Sequence, residues 1–218
     1  MPDLDFQVTG VEAAARGLAP LLHFKLEITA GDNEQIESLI LQSQIQIQSA
    51  QRDYNPDEKE KLVELFGTPD RWGQTLRNKL WSHSNTTVGQ FTGKTTAILP
   101  VPCSYDLNIL ATKYFHALEG GEVPILFLFS GTIFYSAPDG RLQVERVSWN
   151  KECTYQMPVQ AWDDMMEQHY PNSAWIPLHR ATFEEIYAYK RRMGLATWEE
   201  TIQRLLQESE MPEPAARQ

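Results

Sequence analysis

Residues 39–48 read Leu-Ile-Leu-Gln-Ser-Gln-Ile-Gln-Ile-Gln, which is an alternation of apolar and polar side chains. Successive side chains of a β-strand point to opposite faces, so the apolar residues at 39, 41, 45 and 47 share one face and the four glutamines share the other. One face in a core and one face in water is typical of an antiparallel sheet. The stretch therefore predicts a half-buried strand of such a sheet.

Further strands are predicted on both sides of this stretch. Alternating or wholly apolar runs lie at residues 4–8, 22–28, 86–88, 95–101, 125–135 and 142–149. Gly31 to Asn33 predict a turn before the strand at residues 39–48, and Gly89 to Gly93 predict a hairpin between the third and fourth runs. The run at 125–135 is apolar on both faces, so it is predicted to be a central strand covered on two sides.

A helical pattern interrupts the strands at about residues 56–80. Pro56 suits a helix start and Gly67 a helix stop, and the residues between them have helical spacing. Large apolar residues then follow at spacings of four, at Trp72, Leu76 and Leu80. This spacing predicts a second short helix in the same insertion.

From Pro158 onward the hydrophobic period becomes that of an α-helix. Residues 159–166 predict one helix. Capping boxes, in which Thr is followed three residues later by Glu, predict the starts of two further helices at 182–185 and 197–200. Gly194 is predicted to end the first of these two helices.

Together these patterns predict an α+β fold, namely an antiparallel β-sandwich with a helical insertion and a C-terminal helical subdomain. We assign residues 1–157 to the sandwich and its insertion, 158–210 to a helical subdomain packed on it, and 211–218 to a flexible tail. One structural unit is preferred because short amphipathic helices are marginal alone. Residues 104–118 fit both patterns and are interpreted as a strand that enters a short helix.

The charge balance excludes one broad class of partner. The 218 residues carry 19 basic and 29 acidic side chains, a formal net charge of −10. Nucleic-acid binding needs clustered Lys and Arg, so it is not expected. No apolar run approaches the length of a membrane span, and the N-terminus has no secretory pattern. Two cysteines without a paired motif, Cys103 and Cys153, are typical of reduced thiols, so we expect a cytoplasmic protein.

No motif predicts catalysis, a metal or a cofactor. The segment from Gly89 to Thr95 has three residues between its glycines where a phosphate-binding loop has four, and a strand follows where a helix is required. None of the five histidines has metal-ligand spacing. A Cys–His hydrolase built on Cys103 and His116 is a remaining alternative, but no orienting motif accompanies the pair.

Aromatic and methionine side chains are the strongest binding signal. They are typical of adaptable protein interfaces, and they are equally typical of helices that clamp onto a sheet. We predict a partner-contact surface at Trp162, Met165, Met166, Tyr170 and Trp175. As an alternative, a ligand pocket between sandwich and helices is predicted to be lined by Tyr105, His116 and Trp149.

Several longer motifs resemble a bacterial family of unknown function, the domain of unknown function numbered six thousand and eighty-four. They are Asp70-Arg-Trp-Gly73 with Leu80-Trp81, Leu99-Pro-Val-Pro-Cys-Ser-Tyr-Asp106, Lys113-Tyr-Phe-His-Ala-Leu118, Gly121-Glu-Val-Pro124 with Leu128-Phe-Ser-Gly-Thr132, and Trp149-Asn-Lys-Glu152. The resemblance covers nearly the whole chain except the tail. It carries over no catalytic residue, because none is established for that family. It implies an association with gene clusters for uptake nickel–iron hydrogenases.

Three functions follow as hypotheses. The first is a non-catalytic accessory or scaffold protein that binds a larger redox enzyme, such as a nickel–iron hydrogenase or one of its maturation factors. The second is a small-ligand-binding module that uses the predicted pocket. The third is the Cys–His hydrolase. We prefer the first, because a chemical site requires converging groups and none converge in the sequence.

Overall fold

A computed structural model describes most of the chain, namely residues 2–15, 19–31, 34–103, 109–173, 176 and 178–210. The chain divides into two compact units, Met1–Ser173 and Ala174–Gln218. Each unit is described by itself below. Tyr105, Trp175 and the predicted tail at 211–218 lie outside the described residues.

The described part of the first unit contains nine strands and five helices. The strands are β1 (Asp5–Ala13), β2 (Leu21–Thr29), β3 (Gln35–Ile47), β4 (Lys79–Val88), β5 (Phe91–Thr92), β6 (Lys94–Pro102), β7 (Glu122–Ser136), β8 (Leu142–Arg146) and β9 (Glu152–Pro158). The helices are α1 (Pro56–Lys61), α2 (Val63–Phe66), α3 (Trp72–Thr75), α4 (Ile109–His116) and α5 (Val159–His169).

The strands form two antiparallel sheets. One sheet has the order β1-β2-β6. The other has the order β4-β3-β7-β8, with β5 also paired to β3 and β9 also paired to β7. The predicted α+β fold with antiparallel sheets is confirmed. The strand β9 was not predicted from the sequence.

The core lies between the facing sides of the two sheets. The alternating residues of β2 and β3 are at most 1% exposed, as the sequence predicts, and they are Leu22, Phe24, Leu26, Ile28, Leu39, Leu41, Ile45 and Ile47. The ring of Phe24 on β2 meets the ring of Phe127 on β7 at 5.1 Å. Burial of such side chains is the main source of stability in a domain of this size.

One face of the central strand β7 is largely buried, and most residues of its other face are partly exposed. Val123, Ile125 and Phe127 are fully buried, whereas Leu126 and Leu128 on the opposite face are partly exposed. Burial on both faces was therefore a wrong expectation for this strand. Its central position, between β3 on one side and β8 and β9 on the other, is confirmed.

The predicted hairpin around Gly89–Gly93 is wrong in its pairing. β4 pairs with β3 in one sheet, and β6 pairs with β2 in the other. The connection therefore carries the chain from one sheet to the other. A hairpin within one sheet and a connection between two sheets both consist of a turn between two alternating runs, so the sequence alone does not distinguish them.

The first helical segment of the insertion begins at Pro56 and ends at Gly67, as the sequence predicts. Asn55 caps α1 in a reciprocal capping box with Glu58, and Pro56 occupies the first turn. Gly67 ends α2 with a φ of 75°, a conformation that favours glycine. The second predicted helix is wrong beyond Thr75, because Leu80 lies on β4 and alternates there with buried Trp81.

A buried ion pair fastens this insertion to the entry of β7. The Arg52 guanidinium donates to both carboxylate oxygens of Glu58, at 2.8 and 3.1 Å. Arg52 also donates to the carbonyls of Gly120 and Glu122, at 2.6 and 3.1 Å. The Glu119 amide donates to the same Glu58 carboxylate. The side chains of the pair are 9% and 4% exposed, so each charge depends on the other for solvation.

The environment of Glu58 sets its protonation. Burial by itself raises the pKa of the Glu58 carboxyl, but hydrogen bonds from Arg52 and from the amides of Glu119 and Asn55 outweigh burial and hold the pKa below its usual value. The carboxylate form is therefore stabilised by folding. Its contribution is present above the unfolded-state pKa of about 4.3 and is lost as the pH falls through the lower folded-state pKa.

We predict that Glu58→Gln lowers the free energy of unfolding by about 3 kcal/mol at pH 7, because it leaves the Arg52 charge unpaired. The difference from the wild-type protein should shrink as the pH falls through the folded-state pKa of Glu58. Urea unfolding of both proteins from pH 7 to pH 3 measures this, with Glu60→Gln on the exposed side of α1 as the control. A pH-independent difference would contradict it.

The second unit contains α6 (Arg180–Met193) and α7 (Trp198–Glu210) in its described part. Gly194 ends α6 with a φ of 66°, as predicted. The capping box of Thr197 and Glu200 ahead of α7 is confirmed by hydrogen bonds in both directions. The box predicted at 182–185 is wrong, because α6 begins at Arg180 and no side chain caps it.

The division between the units falls after Ser173, whereas the sequence-based boundary was placed at 157/158. The reason is α5, which buries Val159, Trp162 and Met165 in the core of the first unit.

No helix among the described residues combines the length and the hydrophobicity that crossing a bilayer requires.

Candidate functional site

Helix α5 has one buried and one exposed side. Trp162 is 3% exposed and Met165 is fully buried. The Trp162 ring stacks on Phe115 of α4 at 4.5 Å. This corrects the expectation of an exposed contact surface for these two residues, since a core side chain meets a partner only if the domain opens. Met166 and Tyr170 are partly exposed.

The exposed side of α5 forms an acidic surface groove of about 390 Å³. Its lining residues are Gln160, Asp163, Asp164, Met166, Glu167, Tyr170 and Ser173. Near the end of the helix, Gln168 donates to the Ala14 carbonyl at 3.2 Å, which fastens α5 beside β1. We name the seven lining residues the α5 groove. It brings three carboxylates together with a thioether and a phenol.

Two effects disfavour the charged form of Asp163 in the groove. Burial, and secondarily the Asp164 carboxylate, raise the pKa of Asp163 above its usual value, while His116 on α4 has the opposite effect. A group whose charge is disfavoured by its neighbours gains when a cation arrives. A cation bound beside Asp163 would therefore favour its charged form.

Asp163 and Asp164 are the residues whose role the sequence analysis missed. They lie in the middle of α5, and its first turn contains no acidic residue, so the helix dipole does not explain them. The available signal was their position on the helix, because Asp163, Asp164 and Glu167 occupy the arc that the buried residues leave free. In the described part of the chain, no group of three or more His, Cys, Asp or Glu side chains is arranged to hold a metal ion, so the three carboxylates of the groove do not converge on one point.

The residues of the predicted ligand pocket lie apart where they are described. His116 is exposed and lines a surface cavity of about 410 Å³ with Lys61, Glu64 and Lys113. An ion pair between Lys113 and Glu64 crosses this cavity. Trp149 lies between β8 and β9, is 94% exposed and does not line the cavity of His116.

The environment of Cys103 is unfavourable for a nucleophile. Its side chain is 1% exposed, and its thiol donates to the Val101 carbonyl at 3.2 Å. Burial raises the pKa of the Cys103 thiol to about 12. Since the thiolate is the reactive form, this position suits a packed core thiol. Cys153 is partly buried, and burial raises its pKa as well.

Comparison with protein families gives one match. The family described as "Family of unknown function (DUF6084)" matches residues 1–214. The chain belongs to this family. The resemblance seen in the sequence motifs is thereby confirmed for the family, and DUF6084 carries no described activity. No curated protein matches the chain.

Two solved structures show remote similarity. One is a β-glucosidase from Kluyveromyces marxianus, with 10% identity and a TM-score of 0.27 over 72% of this chain and 15% of the glucosidase. The other is a putative late embryogenesis abundant (LEA) protein, with 14% identity and a TM-score of 0.26 over 72% of both chains. The chain thus spans a small part of the glucosidase, and neither similarity supports a function.

We predict that Trp162→Ala lowers the free energy of unfolding by about 3–5 kcal/mol, because it removes a core ring. Tyr170→Ala, at the C-terminal cap of the same helix, should cost well under half of that, since its side chain is partly exposed. Urea denaturation of both variants measures the difference. Equal losses would show that the two sides of α5 are equally buried in solution.

We also predict slow alkylation of Cys103. A thiol with a pKa of about 12 is ionised to roughly one part in 10⁵ at pH 7, against a few per cent for a free cysteine. Iodoacetamide labelling with peptide mass spectrometry should therefore modify Cys153 before Cys103 in the native protein, and both rapidly in urea. Rapid native labelling of Cys103 would reopen the hydrolase hypothesis.

Proposed function

We propose that this DUF6084 protein is a non-catalytic accessory or scaffold protein of the cytoplasm that binds a larger redox enzyme through the α5 groove. The observation that supports this is the combination of three carboxylates with partly exposed Met166 and Tyr170 on one side of a fixed helix. Charge steers a partner towards the surface, and the apolar groups then provide contact area.

The chemistry of the groove indicates the kind of segment it would receive. Asp163, Asp164 and Glu167 suit Lys or Arg side chains of a partner. Methionine adapts its shape to different surfaces, and tyrosine is enriched among the residues that dominate binding energy. The partner segment is therefore basic, with apolar residues beside its charges.

The rigidity of α5 favours this role. Its buried side is held by Trp162 and Met165, so the helix needs no ordering when a partner arrives. Binding to a preformed surface avoids part of the entropy cost of association. We infer the class of partner from the family resemblance, which implies an association with uptake nickel–iron hydrogenases and their maturation factors.

The test is native co-purification of the tagged protein from its host, with mass spectrometry of the bound proteins. We expect stoichiometric recovery of hydrogenase subunits or maturation factors by the wild-type protein. Asp164→Lys with Glu167→Lys should reduce this recovery by about tenfold or more, because like charges then face each other. Glu60→Lys with Asp70→Lys makes the same change of net charge at exposed positions elsewhere and should leave recovery unchanged.

The two variants also separate specific from general electrostatic effects. Equal loss with both pairs would mean that net charge, and no particular surface, holds the partner. Undiminished recovery with the α5 pair would exclude the groove as the binding site. Recovery of the wild-type protein alone would contradict the accessory function itself.

A further inference from the structure

Helices α6 and α7 make a unit with almost no core of its own. Among the described residues of this unit only Thr201 is buried, and α6 contains no buried residue. Contacts between the two helices include a hydrogen bond of 2.8 Å from the Tyr189 hydroxyl to the Glu208 carboxylate. Helices of this length are marginal in water unless an apolar side is packed against something.

Large apolar side chains lie along both helices, with Lys190 and Arg191 over two of their rings. The rings of Phe183 and Tyr187 on α6 lie 5.2 and 5.9 Å from the ring of Trp198 on α7. Ile202 and Leu206 continue the surface along α7 at intervals of four residues. All five side chains are between 40 and 59% exposed. We name these five residues the aromatic face.

The aromatic face is comparable in extent to the largest apolar patch of a typical monomer, a patch that is often functional. Five large side chains at this exposure leave several hundred Å² of apolar surface in one patch, which marks an interaction site in soluble proteins. A stable interface buries about 800 Å² on each partner, with an apolar centre and a polar rim. The aromatic face provides such a centre, and the charges of the two helices provide the rim.

The charges of the two helices are opposite. From its sequence α6 carries four basic and two acidic side chains, whereas α7 carries one basic and four acidic. In the part of the chain that the structure describes, the ion pairs of these helices join residues of the same helix, and none joins α6 to α7. Arg191 and Arg192 lie over the rings of Tyr187 and Tyr189. Both arginines are exposed, so the end of α6 presents positive charge at the surface.

We propose that the aromatic face is the interface with a second copy of this chain, in a two-fold symmetric dimer. In a two-fold interface the same patch meets itself, and an axis parallel to the two helices places α6 of each copy against α7 of the other. This arrangement buries both aromatic faces and brings each basic helix beside an acidic one. The proposal is independent of the α5 groove, which lies on a different unit.

Analytical ultracentrifugation of the full chain tests the dimer directly. We expect a dimer at micromolar concentration. Ile202→Asp should weaken association by about tenfold or more, because it places a charge in the apolar centre. Leu80→Asp changes a comparably exposed leucine on β4 and should leave the dimer intact. A monomeric wild-type protein, or equal weakening by both variants, would overturn the proposal.

Hydrogen exchange tests the same proposal without a substitution. Amide protection in α6 and α7 should rise with protein concentration through the range where the dimer forms, while protection in β3 and β7 stays constant. Concentration-independent protection in α6 and α7 would mean that another surface covers the aromatic face, which overturns the proposal.

Charge-reversal variants test whether α6 of one copy pairs with α7 of the other. Arg191→Glu with Arg192→Glu should weaken self-association, and so should Glu199→Lys with Glu210→Lys. Mixing the two variants should restore a heterodimer, because each then offers the charge that the other lacks. Failure of the mixture to associate more tightly than either variant alone would exclude the pairing of α6 with α7 across the interface.

Discussion

The first unit depends on the burial of two apolar sheet faces against each other. Phe24 from one sheet and Phe127 from the other meet at its centre. Helices α4 and α5 extend the same core, since Phe115 and Trp162 stack on one another and both contact the ring of Trp81. The orientation of α5 therefore follows from the core, and its acidic side is the side that the core leaves out.

The strands that were predicted well are those whose burial is a local property. The alternation in β2 and β3 predicts which residues are buried without knowledge of any partner strand. The pairing of strands is not local, so the sequence did not reveal that β4 and β6 belong to different sheets. Leu80 shows a second limit, because a spacing of four residues also occurs by chance where an insertion passes into a strand.

The candidate site was predicted in part for a related reason. The sequence predicts α5 and its residues, but Trp162, Met165, Met166 and Tyr170 are all suited to a core or to an interface. What distinguishes them is rotation of the helix about its axis, which the sheets determine. The carboxylates at 163, 164 and 167 carried the missing information, because charges of one sign on one arc imply that the opposite arc is buried.

Self-association has to overcome the net charge of the chain, which is −10. Two such chains repel at long range, but ions screen charges beyond about 8 Å at physiological salt. Contacts made by α6 and α7 fall within that distance, and there the signs are opposite. Attraction between opposite charges at the interface therefore outweighs the repulsion that comes from the net charge of each chain. An acidic chain that concentrates Lys190, Arg191 and Arg192 at the end of one helix resists general aggregation while it retains one attractive surface for its own copy.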